Sequence, residues 1–168
     1  MLITTSRKPS QRTRTFARSL ERVLNAKYVN RGKMSLRDVL IKSSQLNFNR
    51  IIIISEMKGN PSRIEIVNSS GDSLISLNVT VSIISSSGRM EKDKLSIRCE
   101  MEELNETITY ILGIFEENKE IRSLTNSNLI CIKKGLKGSK GVVEFYDKDG
   151  HLTGPKIYLH HCLNPMEV

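Results

Sequence analysis

His160, His161 and Cys162 are adjacent in this 168-residue chain, and His151 lies nearby. Zinc would need such ligands to converge from fixed spacings. Consecutive strand residues point to opposite faces, so the spacing predicts no metal site here. "KKGLKGSKG" at 133–141 has the residue types of a phosphate loop. It lacks the Gly-x-x-x-x-Gly-Lys-Ser/Thr spacing and sits between predicted strands, not before a helix. It reads as a basic hairpin loop that could add a second contact to a polyanion. Glu100, Glu102, Glu103 and Glu106 crowd the start of a predicted helix, where the helix dipole favours acids. A magnesium nuclease would need such acids beside the basic region, and these lie in the other part of the chain. No Ser–His–Asp or Cys–His order stands out. The sequence offers no catalytic centre and no cofactor motif, and an enzyme is the least expected class.

The stronger signal is cationic. "TTSRKPSQRTRTFARSLERVL" at 4–24 holds six Arg and Lys against one acid, Glu21. Residues 1–50 carry 12 Lys/Arg and 2 Asp/Glu, a net of +10, while residues 51–168 carry 14 and 16. The whole excess of +8 therefore belongs to the N-terminal third. A charge meant only for solubility would be spread over both parts. A segregated basic patch attracts polyanions through Coulomb forces and counterion release. Arg14, Arg18 and Arg22 fall on the helical face opposite Phe16, Leu20 and Leu24, and no acids interleave them at the i+4 spacing that usually neutralises such a face. An anionic membrane surface would want exposed bulky apolar residues beside the charge, and this stripe is narrow enough to be core. Trp is absent and aromatics make up 5% of the chain, which excludes surfaces that stack many bases.

These residues need elements to hold them. "LITTS" predicts an opening strand, Pro9 and Ser10 a turn and N-cap, and Gln11 to about Leu24 a helix. "SLRD" predicts a capping box of Ser35 with Asp38 ahead of a second helix, whose buried stripe is Leu36, Val39 and Leu40. "RIIIISE" predicts a strand buried on both faces. "KGNPS" and "SGD" are turns between further strands, and "SLISLNVTVSII" is long enough to bend or carry a bulge. The pattern then restarts. "LSIRC" is a strand, and residues 100–120 form a helix with Leu104, Ile108, Ile111, Leu112 and Phe115 on one side. "NLICIKKG" and "GVVEFYDKDGHLTGPKIYLHHC" supply three more strands. We expect one domain over 1–168 with two similar halves, about 1–86 and 94–164, in mixed sheets flanked by helices. Cys99, Cys131 and Cys162 lie in strand-like runs and read as buried free thiols. The start lacks a signal sequence, and no apolar run can span a bilayer. A soluble intracellular protein is expected.

In the order of these segments the sequence resembles the Brix-domain family of ribosome-biogenesis proteins, in its short archaeal form. "TTSRKPSQRTRTFARSL" is similar to that family's opening strand and basic helix. "YVNRGKMSLRDVL" is similar to its Arg-Gly turn and second helix, "RIIIISEMKGNPSRIEIV" to its sigma-factor-like strand–turn–strand motif, and "GPKIYL" at 154–159 to its closing strand. The chain departs from the family in having "SSGDSLIS" at 69–76 where a "GPTA"-like stretch is common.

The resemblance implies two α/β halves, each like the anticodon-binding domain of class IIa aminoacyl-tRNA synthetases. It implies an RNA-binding factor that binds precursor rRNA and assists its folding, processing and assembly into ribonucleoprotein subunits, without bond chemistry. Arg7, Lys8, Arg12, Arg14, Arg18, Arg31 and Lys33 are the expected RNA-binding residues, with Arg12 close enough to the apolar stripe to be partly structural. The expected partners are rRNA or its precursor and ribosome-assembly proteins, without a membrane. The protein is expected to be a cytoplasmic monomer. The alternatives are a protein–protein adaptor, docking through strand edges or the acidic helix at 100–120, and a tRNA-binding module.

Overall fold

A computed structural model describes residues 1–24, 26–83, 95–101, 104, 105, 108, 128–135 and 138–163. The element order is β1 (Leu2–Thr5), α1 (Gln11–Val23), β2 (Lys27–Tyr28), α2 (Leu36–Gln45), β3 (Arg50–Met57), β4 (Asn60–Asn68), β5 (Ser73–Ser82), β6 (Leu95–Cys99), β7 (Asn128–Lys134), β8 (Gly141–Tyr146) and β9 (Lys156–Leu163).

The run of four isoleucines in β3 explains the layering. Ile52 and Ile54 pack into a core with Ile3, Phe16, Ala17 and Leu20. Ile51 and Ile53 point the other way, into a second core with Leu2, Val39 and Val67. A strand without apolar–polar alternation is thus one covered on both sides, by α1 on one face and α2 on the other. Helix α1 starts where the Ser10 side chain accepts from the Thr13 amide. It buries Thr13, Phe16, Ala17, Leu20 and Val23, and it ends at Leu24, whose backbone turns extended. Helix α2 starts on the predicted capping box: the Asp38 amide donates to Ser35 Oγ at 3.2 Å, and the Ser35 amide donates back to Asp38 at 2.8 Å. Its buried residues are Val39 and Ser43. Leu36, expected inside, is 38% exposed because it opens the helix at the rim of the layer.

The nine strands form a single mixed sheet in the order β2-β1-β3-β4-β5-β9-β8-β7-β6. Mixed sheets in two similar halves were expected from the sequence. They fuse because β5 pairs antiparallel with β9, from Ser76↔Leu163 to Ser82↔Lys156. Each strand would otherwise present a row of unpaired amides and carbonyls at an edge. On either side of this seam the pairing senses repeat. β1 is parallel to β3, with β3–β4 and β4–β5 antiparallel. β6 is parallel to β7, with β7–β8 and β8–β9 antiparallel. The predicted bulge in β5 is present at Leu74, where the register against β4 shifts from Ile66↔Ile75 to Val67↔Ser73.

In the second half Ile130, Ile132, Val143, Phe145, Ile157 and Leu159 extend the first core, joined by Leu104. Leu104 is helical, as is Ile108. The rest of the helix expected at 100–120, with Ile111, Leu112, Phe115 and three of the four acids, lies outside the described residues. Gly154 sits so close to Phe145 that a Cβ there would be 2.7 Å from the Phe145 Cβ, which fixes the small residue ahead of β9. No helix among the described residues is long and apolar enough to cross a membrane.

Candidate nucleic-acid interface

The sheet gathers several cations of the first half at one end. β1 and β3 run parallel and finish together: the Ser6 amide donates to the Ile54 carbonyl at 2.8 Å. Arg7 and Lys8 follow at once, and both are exposed. The Arg31–Lys33 turn returns to the same place, because the Arg31 guanidinium donates to the carbonyls of Thr5 at 3.5 Å and Met34 at 3.2 Å. Helix α1 begins there too. In open α/β sheets the ends of parallel strands, where chains part to form a crevice, are a recurrent place for ligands.

The start of α1 is held by a residue that sequence reading passed over. Its first turn contains no acid, yet the helix dipole favours negative charge there. Glu56 of β3 supplies it. Its Oε2 accepts from the Ser10 amide at 2.9 Å, lies 2.8 Å from the Ser10 hydroxyl and accepts from Thr13. Burial pushes the Glu56 carboxyl up, but these hydrogen bonds and the nearby Arg14 outweigh it and hold it below the ordinary glutamate range. The Ser10 hydroxyl also lies 2.8 Å from the Gly59 carbonyl. Lys58 and Gly59 take the left-handed conformation, at φ 51° and 78°, which a two-residue hairpin turn requires. The β3–β4 turn is thereby placed against the helix start, and it brings exposed Lys58 into the basic end. Glycine after lysine at a turn was the available signal for that geometry, but nothing local pointed to the contact with α1.

The seven expected RNA-binding residues do not behave alike. Arg7, Lys8, Arg18 and Lys33 are exposed, and none has a hydrogen-bond or ion-pair partner among the described residues. Arg12, expected to be partly buried, is exposed and donates to the Val81 carbonyl at 3.2 Å. Arg31 is half-buried and tied to the two carbonyls above. Arg14 departs from the expectation of a fully solvent-facing site. It is half-buried, with a buried Nε that has no hydrogen-bond partner among the described residues, and it lies close enough to Glu56 to hold that carboxyl down. Arg22, also read as solvent-facing, donates to the Thr153 carbonyl. It therefore links α1 to the turn before β9.

The second half holds a separate polar network. Glu144 is 7% exposed. Its Oε2 accepts from Lys133 at 2.8 Å and from the Tyr146 hydroxyl at 2.6 Å, and its Oε1 lies 2.6 Å from Lys156 Nζ. Burial pushes this carboxyl up, but the three hydrogen bonds prevail and hold it at about 2. Hydrogen bonds to Glu144 and Tyr146 raise the Lys133 pKa in turn.

The histidines follow different geometry from that expected. Val79 pairs with Leu159 and Asn78 with His161, so His160 is the extra residue of a bulge and simple alternation fails across it. Its ring lies 3.0 Å from Thr80 Oγ1 and 3.0 Å from the Gly138 carbonyl. Among the described residues the grouping of ligand atoms close enough for an ion is Asp147, Asp149 and His151. There Asp147 already serves its turn, accepting from the amides of Asp149 at 3.0 Å and His151 at 2.8 Å. Cys131 is buried, Cys99 and Cys162 are half-buried, and all three are free thiols.

No family model matches the chain. A probable Brix domain-containing ribosomal biogenesis protein of Methanothermobacter thermautotrophicus is 52% identical over 71 residues, 42% of this chain and 43% of that protein. Its counterpart in Methanococcus maripaludis is 43% identical over 83 residues, 49% of this chain and 48% of that protein. The matched stretches thus span less than half the length of these curated relatives. Among solved structures, a probable ribosomal biogenesis protein from Aeropyrum pernix K1 shares the fold at a TM-score of 0.79, with 23% identity over 95% of this chain and 94% of that one. An archaeal Imp4-like protein is 30% identical, at a TM-score of 0.75, over 98% of this chain and 99% of its own. With sequence and fold alike over its whole described frame, the chain belongs to the archaeal Brix-domain family of ribosomal biogenesis proteins.

Proposed function

We propose that this chain is an RNA-binding ribosome-biogenesis factor, which holds precursor rRNA and assists its folding, processing and subunit assembly without making or breaking bonds. The observation that carries this reading is the set of exposed cations without a partner among the described residues: Arg7, Lys8 and Lys33 near the end of the sheet where β1, β3 and α1 meet, and Arg18 farther along α1. Guanidinium and ammonium groups left without acids suit a phosphate backbone. Guanidinium planes can also stack on unpaired bases. Arg12, Arg14 and Arg31 then position the surface as much as they touch RNA. The repeated pairing senses on either side of the β5–β9 seam support two related halves, each built like the anticodon-binding domain of a class IIa synthetase. The names of the relatives support the ribosomal setting. In this reading the protein works in the cytoplasm as a monomer until it meets its particle, and a tRNA-binding module has only the fold analogy behind it.

The test is binding of an rRNA fragment across a salt series by the unaltered protein and by the Arg18→Gln/Lys33→Gln variant. The log–log salt slope should shrink by about 0.7 for each phosphate that is no longer neutralised on single-stranded RNA. Equal slopes and equal affinities would favour the adaptor reading. That second reading has its own observation: Leu36, Ile41 and Leu46 of the α2 region and Met57 are large apolar residues exposed by 37% to 67%.

A further inference from the structure

On the face of the sheet away from the first core, the second half differs from the first. In the first half α2 covers that face over Leu2, Ile51, Ile53 and Val67. In the second half no described helix does so, and two adjoining hollows lie open there. One, of about 470 Å³, is lined by Lys134, Lys156, Tyr158 and His160 among others. The other, of about 250 Å³, is lined by Arg98, Tyr146, Asp147 and Lys148 among others. Lys133 lines both. Each hollow therefore offers one tyrosine ring with cations around it. Across the pair, Lys133, Lys134, Lys156, Arg98 and Lys148 outnumber the two carboxylates, Glu144 and Asp147.

The arrangement is built rather than loose. Buried Glu144 holds Lys133 and Lys156 together and takes the Tyr146 hydroxyl. The Lys133 ammonium also sits 5.6 Å from the centre of the Tyr146 ring. One carboxylate thus fixes two ammonium groups and leaves an unbalanced positive charge between two aromatic rings. A flat sheet with aromatic rings flanked by cations is a platform on which unpaired bases stack while phosphates meet the charges. The platform adjoins the basic end of the first half. Arg12 donates to the Val81 carbonyl, and Val81 pairs with Ile157, next to Lys156 and Tyr158.

We propose that this open face is a second RNA-contact site, where Tyr158 and Tyr146 stack unpaired bases of a single-stranded segment and Lys133, Lys134 and Lys156 meet its phosphates. The proposal rests on the RNA-binding reading above and extends it to the opposite half of the sheet. Two rings serve one or two bases, in keeping with a chain too poor in aromatics to stack many.

Fluorescence anisotropy with a short labelled oligouridine tests it, with thermal melts alongside. Tyr158→Leu should weaken binding about tenfold, the loss expected for one stacked base, while Tyr158→Phe keeps the ring and the affinity. Lys134→Gln, at an exposed position, should reduce the salt slope without changing the melt. The Arg18→Gln/Lys33→Gln variant is measured beside them. If Tyr158→Leu and Lys134→Gln bind like the unaltered protein while that variant loses affinity, the second site is wrong and the basic end stands. If Tyr158→Leu and Lys134→Gln lose affinity while that variant does not, the second site stands and the basic end is wrong. No binding by the unaltered protein overturns both.

Discussion

The two halves of the sheet share their pairing pattern but not their second face. In β3 the residues turned from the first core are Ile51 and Ile53, and they are buried with Val39 of α2. In β7, the corresponding strand, they are Leu129, Cys131 and Lys133, and the Lys133 side chain at the strand's far end is 43% exposed. In β4 Val67 joins the second core, whereas β8 offers Glu144 and Tyr146. Whether a strand reads as continuously apolar thus reports whether a second layer covers it. The cations differ in the same way. Arg18 and Lys33 of the first half have no partner among the described residues, whereas Lys133 and Lys156 are bound to a buried carboxylate. Exposed cations of the first half are left to the surface, whereas these lysines of the second half are held by a buried carboxylate.

The largest test of this contrast is Ile53→Lys against Val142→Lys. Ile53 is 7% exposed under α2. A lysine there must bury an unpaired charge or expel the helix, and about 4 kcal/mol or more of stability should be lost. Val142 is half-buried on the open face, where a lysine can extend into water. That change should cost less than about 1 kcal/mol. Urea unfolding of both variants measures the difference, and similar losses would mean that the second half is covered as fully as the first.

Glu144→Gln comes next. It leaves Lys133 and Lys156 without their counter-charge in a partly buried place, and both ammonium groups can still reach solvent. A loss of about 2 kcal/mol is expected, below the range for fully buried pairs. The effect should vanish in acid. The folded-state pKa of Glu144, about 2, lies below its ordinary 4.5, so the carboxylate's contribution is complete above pH 4.5. It fades as pH falls toward 2, where the folded state also takes up the proton. Unfolding measured from pH 7 downward should show the two proteins converging across that window. A constant gap down to pH 2 would mean that the variant's deficit does not come from the missing carboxylate charge.

What could be read in advance depended on sequence distance. The Ser35–Asp38 capping box and the Ser10 cap were legible because their partners lie three residues away. The two-sided burial of β3 was legible because its apolar run fixes it. The docking of α1 on Glu56 was not, since the contact joins positions 43 to 46 apart and neither segment signals the other. Nor was the β5–β9 seam, which closes across about 80 residues and joins the strands of both halves into one sheet. The same seam creates the bulge at His160, and so defeats the alternation argument applied to His160 and His161. Arg14 was misread for a related reason: a helical wheel gives the face of a residue but not a neighbour from another element, such as Glu56, that will lie near it. The Glu144 network arises from three strands meeting, and its members looked like separate surface charges in the sequence.

The smallest expected effect concerns the first-half cations. Arg18 lies one helical turn from both Arg14 and Arg22, and like charges at that spacing repel by a few tenths of a kcal/mol. Its side chain is exposed and has no partner among the described residues. Arg18→Gln keeps helix propensity almost unchanged and relieves that repulsion, so the melting temperature should stay the same or rise slightly. Glu144→Gln, which also removes one charge, should lower it clearly. The two melts recorded together separate a charge that holds the fold from one that does not. A destabilised Arg18→Gln would show that this arginine has a structural partner, and the basic end would then have to be rebuilt around Arg7, Lys8 and Lys33 alone.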